Sequence, residues 1–219
     1  MWRIESQLGD AAASYDGRTA VYDRLVRSRT YNRIAWSTAP AYYVRFAAAA
    51  ITSGDGPLLE VAAGSAAATA ELHARSQRPT VLVDLSRAML ERAAQSIAAA
   101  ANGDKQELPA HIRLVQADLL ALPFGPHEFT TVLGLGLTHL FDDLPALVAA
   151  LRSQLLPDGK LHLAGLVAET RRGRRYLEIL HRAGEVAAPR TAEELHVALG
   201  RPAGFRTTGC MAYATLPAA

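Results

Sequence analysis

Residues 57–66 read PLLEVAAGSA, a short apolar run that reaches an acid, Glu60, and then a turn of small residues. The segments TVLVD over 80–84 and IRLVQAD over 112–118 have the same form, with an acid at or just after the end of the run. Short apolar runs that alternate with helical patterns are typical of parallel strands buried on both faces. We therefore predict an α/β fold in which helices cover both sides of a mostly parallel sheet.

The same alternation continues to residue 167, beyond which the chain changes character. The predicted strands cover 57–62, 80–83, 112–116, 129–133 and 160–167, and the predicted helices between them cover 66–76, 86–101 and 144–155. After these come a charged amphipathic helix over 169–186 and a helix that a capping box of Thr191 and Glu194 begins. Two short strands around Gly209 then close the chain, and we expect them to add an antiparallel strand to the sheet.

The residues before the first strand differ from the rest. Between 14 and 50 the chain is rich in aromatic residues and has a helical pattern, and TSGDGP over 52–57 is a loop by composition. We predict a helical cap or lid over 1–53 and a Rossmann-like domain over 54–219, the two forming one structural unit.

Bulk composition limits the functions open to the chain. Its 219 residues are 50% hydrophobic and 20% charged, which suits a soluble globular protein with one full core. A net charge of +2 and a single short basic cluster, RRGRR over 171–175, argue against nucleic acid as a partner. The one cysteine, Cys210, allows no intrachain disulfide, and no apolar stretch is long enough to span a bilayer. We expect a cytoplasmic protein with no membrane partner.

Acids follow three successive predicted strands at equivalent positions: Glu60, Asp84 and Asp118. In an open parallel sheet, the carboxyl ends of neighbouring strands share one edge, and ligands bind beyond that edge. A row of acids there suits a nucleoside, whose ribose hydroxyls and exocyclic amine are hydrogen-bond donors. It suits a bare phosphate poorly, because the charges would repel.

Four stretches, taken in order and spacing, resemble the class I S-adenosylmethionine (SAM)-dependent methyltransferases, in the branch similar to quinone-biosynthesis C-methyltransferases. The stretches are LLEVAAG over 58–64, VDLSRAML over 83–90, QADL over 116–119 and LLPDGKL over 155–161. The resemblance implies a doubly wound, seven-stranded sheet with an antiparallel last strand and an N-terminal helical cap. It also implies SAM as the cofactor, S-adenosylhomocysteine as its product and a small molecule as the methyl acceptor.

The resemblance further implies roles for residues near the methionine part of SAM. Ala62 and Gly64 would lie along the methionine, and Glu60 would sit near its amino group. Gly134, just past the fourth strand, would pass close to the same end of the cofactor. Tyr22, in a segment that looks like the opening of that branch, would contact the cofactor as well.

Other residues are implied to hold the nucleoside part. Asp84 would bind the ribose hydroxyls, with Leu85 and Met89 beside the adenine. Asp118 would accept a hydrogen bond from the adenine amine, and the Leu119 N–H would meet a ring nitrogen.

The chain departs from the family pattern in the turn 62–66. The family usually has glycines where this chain has Ala62 and Ala66, and only Gly64 is retained. Alanine fits such a turn if its φ stays negative. The dinucleotide fingerprint also needs glycines at these positions, which argues against NAD as the cofactor.

His139, in the loop after the fourth strand, is the candidate general base, since histidine accepts a proton near neutral pH. The alternative is a histidine that packs beneath the next helix. Tyr31, Trp36 and Tyr42 are candidates for binding the acceptor, with core packing as their alternative. No metal site is expected, because the acids lie on separate strand ends.

Two other functions remain open from the sequence alone. The first is a protein of the same fold that binds SAM or S-adenosylhomocysteine without transferring a methyl group. The second, more weakly supported, is an RNA methyltransferase with a basic groove. The acceptor, the methylated atom and the possibility of a homodimer also stay open.

Overall fold

The computed structural model describes residues 2–6, 40–102 and 107–218. Eight strands lie within these ranges: β1 (Ile4–Ser6), β2 (Leu58–Val61), β3 (Thr80–Asp84), β4 (Ile112–Gln116), β5 (Phe129–Gly134), β6 (Leu155–Leu166), β7 (Gly204–Thr208) and β8 (Met211–Pro217). They form one sheet in the order β1-β4-β3-β2-β5-β6-β8-β7. Strands β1 to β6 pair in parallel, whereas β8 is antiparallel to both β6 and β7. This confirms the predicted Rossmann-like sheet with an antiparallel strand near its end.

Six helices connect these strands in the same ranges: α1 (Pro40–Ile51), α2 (Ala70–Arg75), α3 (Arg87–Asn102), α4 (Leu144–Arg152), α5 (Arg171–Arg182) and α6 (Ala192–Ala198). A single 3₁₀ turn covers Thr138–Leu140. The predicted capping box is confirmed, since Thr191 and Glu194 exchange hydrogen bonds at the start of α6. No helix in the described part of the chain is both long and apolar enough to cross a membrane.

The sheet is covered on both faces. The leucines of α4 and α6 pack on one face, against side chains such as Leu59 and Val83. On the other face α3 covers Leu82 and Leu114, while α5 covers Leu166 and its neighbours. Helix α1 lies on this second face too, with Ile51 packed against β2 and β5. The three layers leave the carboxyl ends of the parallel strands at one edge.

The sheet has eight strands where seven were predicted, because Ile4–Ser6 pairs with β4 at its edge. Three residues are too few to show a strand period in the sequence, and the pairing depends on tertiary contacts. The Ser6 hydroxyl donates to Gln116 Oε1 at 3.1 Å, and Arg113 pairs with Glu5 at 2.9 Å. Residues 4–6 thus belong to the sheet and not to the helical cap predicted over 1–53. The division into cap and domain otherwise stays a prediction.

Two predicted boundaries also shift. Helix α2 begins at Ala70 and not at residue 66, because Ala66 has a φ of +51°, which is incompatible with a right-handed helix. Strand β6 begins at Leu155, which pairs with Phe129, but the ladder then skips to Lys160 opposite Thr131. The continuous part of β6 therefore starts at the predicted residue 160, after a bulge.

Arg78 is a buried residue with several hydrogen bonds at the edge of the sheet where the parallel strands begin, opposite their carboxyl ends. Only 5% of its surface is exposed. Its guanidinium donates to the carbonyls of Ala50, Ile51 and Gly56 and to the hydroxyls of Thr130 and Thr131, the last two at 2.7 and 2.6 Å. Burial lowers the pKa of Arg78, and the nearby Asp55 opposes that shift. The arginine therefore ties the end of α1 to the start of β5.

Replacing Arg78 with methionine should lower the free energy of unfolding by about 3 kcal/mol, because it leaves buried carbonyls and hydroxyls without their donor. Urea unfolding followed by circular dichroism measures this. Arg75→Met is the matched control, since the Arg75 side chain is 79% exposed and pairs with Glu71 on the surface. We expect that control to change stability by less than about 0.5 kcal/mol. Equal losses in the two variants would contradict the role given to Arg78.

Candidate cofactor-binding site

The turn that follows β2 has an unusual backbone. Ala62, Gly64 and Ala66 have φ values of +50°, +54° and +51°. The condition under which alanine fits such a turn easily, a negative φ, is therefore not met: both alanines adopt the left-handed geometry that glycine allows. Each alanine in this conformation costs about 1–2 kcal/mol. The turn stays in place because Ala63 N–H donates to the Val83 carbonyl at 3.0 Å and other contacts hold its ends.

Asp84, at the end of β3, binds this turn directly. Its Oδ2 accepts from the Gly64 N–H at 2.8 Å, and its Oδ1 accepts from the Ser86 N–H at 2.9 Å. The side chain is partly exposed, so it is also on the surface of the site. The sequence predicted Asp84 at this edge, but the bond to Gly64 joins residues 20 apart and has no sequence signal.

The ends of β3 and β4 are also joined. The Ala117 N–H donates to the Asp84 carbonyl at 3.2 Å, and Gln116 Nε2 donates to the Leu85 carbonyl at 3.0 Å. Asp118 is partly buried, and its Oδ1 accepts from the Leu120 N–H at 2.9 Å. The structure thus brings Asp84, Leu85 and Asp118 together, as expected of neighbouring strand ends.

Two predicted adenine neighbours provide apolar surface. Met89, in the first turn of α3, is 8% exposed, and Leu119 is 7% exposed. Both lie on the loops or helix starts that carry the acids. Their contact with a cofactor stays a prediction.

Glu60 has a different environment from the other acids. It is 2% exposed, and both carboxylate oxygens have internal partners. Thr69 donates its hydroxyl to Oε1 at 3.2 Å, and His73 Nε2 lies 2.5 Å from Oε2. Sequence reasoning missed both partners, although Thr69 and His73 are four residues apart on one helical face.

Gly134 ends β5 opposite Val61. A Cβ at this position would lie 2.7 Å from Leu137 Cδ2 and 3.0 Å from Leu163 Cδ2. Any larger residue here would therefore require the side chains of Leu137 and Leu163 to shift, whether or not the cofactor passes close to it.

His139 lies in the 3₁₀ turn after β5 and is 8% exposed. Its Nδ1 accepts from the Leu166 N–H at 3.3 Å, which places the ring proton on Nε2. Burial lowers the pKa of His139 to about 4. A general base works best with a pKa near the working pH, so these two properties favour a neutral, weakly basic ring. The role of base stays a prediction.

The remaining candidates fall on the N-terminal segment. Tyr22, Tyr31 and Trp36 lie outside the described residues. Tyr42, on α1, packs against Tyr213 with ring centroids 5.6 Å apart, and Arg206 donates to its hydroxyl. Its contribution to acceptor binding stays a prediction.

Solved methyltransferases share this fold. A putative methyltransferase of Bacillus halodurans superposes with a TM-score of 0.57 at 21% identity, covering 76% of this chain and 69% of that one. A geranyl diphosphate C-methyltransferase of Streptomyces coelicolor, solved with S-adenosyl-L-homocysteine, superposes with a TM-score of 0.63 at 15% identity, covering 82% and 76%. At these identities the likeness establishes the fold alone.

Residues 58–159 match the family model described as a methyltransferase domain. The match takes in β2, the turn 62–66 and the loops that carry Asp84 and Asp118. The matched segment is 102 of the 219 residues, so a methyltransferase domain is recognised over a little less than half of the chain. This match supports a class I SAM-dependent methyltransferase, a family whose cofactor is SAM, whereas the narrower quinone-biosynthesis branch stays a prediction.

The chain also resembles a carboxy-S-adenosyl-L-methionine synthase of Pseudomonas putida, with 36% identity over 113 residues. The match covers 49% of this chain and 44% of that protein, so the chain spans less than half the length of this curated relative.

His139 should make the protein less stable in acid. Its pKa is about 4 when folded, against 6.5 for an ordinary histidine, so between these values the unfolded state binds the proton and the folded state does not. Stability should therefore fall as the pH drops from 6.5 towards 4, by an amount on the order of 3 kcal/mol for this group.

The His139→Asn variant should show a correspondingly flatter dependence of unfolding free energy on pH. Urea unfolding at several pH values across the interval measures both proteins. His162, whose pKa burial also lowers to about 4, is present in both and cancels in the comparison. If the unfolding free energies of the two proteins changed equally with pH, the lowered pKa of His139 would be contradicted.

Proposed function

We propose that this methyltransferase transfers a methyl group from SAM to a small-molecule acceptor. The observation that carries the proposal is the turn 62–66, held in a left-handed geometry and bonded to the carboxylate of Asp84. When bound, SAM supplies an electrophilic methyl group on a sulfonium. The protein's part is to bind the cofactor, align the acceptor and exclude water.

The residues present fit the methionine and ribose parts of SAM. Within the described chain, no hydrogen bond engages the backbone N–H groups of Ser65, Ala67 and Ala68. Positive φ at alternate residues of such a turn is typical of backbone concavities that bind carboxylates and other anions. Asp84 is partly exposed beside this turn, and its carboxylate is of the acceptor type that ribose hydroxyls bind.

The adenine part fits the loops after β3 and β4. Asp118 offers a carboxylate to the exocyclic amine, and Leu85, Met89 and Leu119 offer apolar surface to the ring. These groups lie on adjacent loops joined by the bond from Ala117 to Asp84.

An apolar, ring-bearing acceptor fits the surface beyond β5 and β6. Partly buried aromatic and leucine side chains pack there above Leu166 and Tyr213: Tyr42, Tyr43, Phe46, Leu135, Leu140 and Tyr176. His139 adjoins this surface through Leu140, and we retain it as the candidate base for an acceptor that must lose a proton. In that role it would have to give up its bond from the Leu166 N–H, so that Nδ1 can accept the proton of the acceptor. Alignment and exclusion of water are therefore the larger part of the proposed catalysis.

Titration calorimetry with SAM and with S-adenosylhomocysteine tests the cofactor site. The wild-type protein should bind both, and Asp84→Asn should weaken binding by about ten- to a hundredfold, because charge-assisted hydrogen bonds are lost. Asp158→Asn is the control of equal charge change, since Asp158 is exposed in the turn between α4 and the continuous part of β6. Failure of the wild-type protein to bind either ligand would contradict the proposal.

A second function has one specific observation in its favour. The relative from Pseudomonas putida is named for a reaction that modifies SAM itself. In that case the chain would bind SAM without passing its methyl group to an acceptor.

Mass spectrometry of reactions with SAM and a panel of aromatic acceptors separates the two functions. Methyl transfer should give an acceptor heavier by one methylene unit together with an equal amount of S-adenosylhomocysteine. A SAM derivative in place of a methylated acceptor would contradict methyl transfer and support the second function. The Asp84→Asn protein is the negative control for both outcomes.

A further inference from the structure

We infer that Glu60, with Thr69 and His73, is a clamp that holds the strained turn 62–66 in its cofactor-binding shape, so that Glu60 acts as a positioning residue through that turn. The inference rests on the proposed function, because the turn is the proposed methionine-binding element. It assigns roles to Thr69 and His73 that no sequence motif marks.

The turn needs a restraint that a glycine-rich turn does not. Left-handed backbone costs alanine about 1–2 kcal/mol, and Ala62 and Ala66 both adopt it. Such conformations persist only where the surrounding structure over-determines them. Without a restraint, the alanines would favour negative φ, and the free N–H groups of the turn would change direction.

The clamp spans the turn from one end to the other. Glu60 lies on β2, two residues before Ala62, whereas Thr69 and His73 lie three and seven residues after Ala66. The carboxylate accepts from Thr69 at 3.2 Å and contacts His73 Nε2 at 2.5 Å. The side chains of His73 and Glu60 are 0% and 3% exposed, so water cannot replace these bonds.

Two details show that the donors are directed at Glu60. Thr69 occupies the N-cap position of α2, yet its hydroxyl makes no capping bond and turns to the carboxylate instead. The buried Nδ1 of His73 has no hydrogen-bond partner in the described structure, so Glu60 is the only side chain that its ring binds there. Thr69 thus binds the carboxylate and does not cap α2, and in the described structure His73 binds the carboxylate through Nε2 without a second ring hydrogen bond.

The test compares Thr69→Val with Thr69→Ser, because valine keeps the branched shape and serine keeps the hydroxyl. Thr69→Val should weaken SAM binding by about three- to tenfold and speed amide exchange of residues 62–68 in the cofactor-free protein by a similar factor, as expected for one lost hydrogen bond. Thr69→Ser should remain near the wild-type values in both measurements. Thr170→Val is the matched control, since Thr170 caps α5 away from the turn and its loss should change neither quantity.

The decisive comparison places Thr69→Val in an Ala62→Gly/Ala66→Gly background. Glycine adopts the left-handed conformation readily, so the clamp should matter less there, and the loss of SAM affinity should shrink to less than about twofold. A loss of equal size in both backgrounds would overturn the inference and favour direct contact between Glu60 and the cofactor. Unchanged amide exchange in Thr69→Val would also overturn it. Failure of the proposed function would look different, because the wild-type protein would then not bind SAM while the exchange effect persisted.

Discussion

The hydrogen bond from the Gly64 amide to the Asp84 carboxylate is the contact on which the geometry of the site depends. It fixes the turn after β2 against the end of β3, and the same carboxylate receives the Ser86 amide ahead of α3. The Asp84 carbonyl then receives the amide of Ala117, which fixes the loop after β4. Three consecutive connections of the sheet are held together by one residue, so little loop ordering is needed when a ligand binds at this edge.

The two edges of the sheet have different roles: one contributes to stability, and the other carries the proposed ligand site. At the edge where the parallel strands begin, the buried Arg78 donates to the last carbonyls of α1 and to two hydroxyls of β5. At the other edge, Asp84 and Asp118 remain partly exposed. Burial keeps His139, in the turn after β5, and His162, on β6, neutral at ordinary pH.

Much of this arrangement follows from local pattern. Apolar runs such as Val81–Val83 predict buried parallel strands, and Thr191 with Glu194 predicts a helix start, because both signals involve residues close in sequence. The acids at strand ends could also be found, since a parallel sheet places them at one edge. The features that sequence reasoning missed all join distant residues: the pairing of Ile4 with Leu114, the contacts of Arg78 and the binding of Glu60 by Thr69 and His73. The positive φ values of Ala62 and Ala66 could not be predicted from the sequence, because residue type sets only a preference, which tertiary contacts can override.

Ala62 and Ala66 show that the absence of glycines from a sequence motif does not mean that the left-handed backbone of the turn is absent. Alanine loses about 1–2 kcal/mol in the left-handed region, but glycine loses more conformational entropy on folding, by roughly 0.5–1 kcal/mol. The net difference is small enough for one buried cluster to offset, and Glu60 with its two donors provides such a cluster on the same turn. On the inferred clamp, this chain keeps the turn with alanines at two of its left-handed positions. The site depends on the φ angles of residues 62–66. Contacts from residues outside the turn decide whether alanine can adopt those angles.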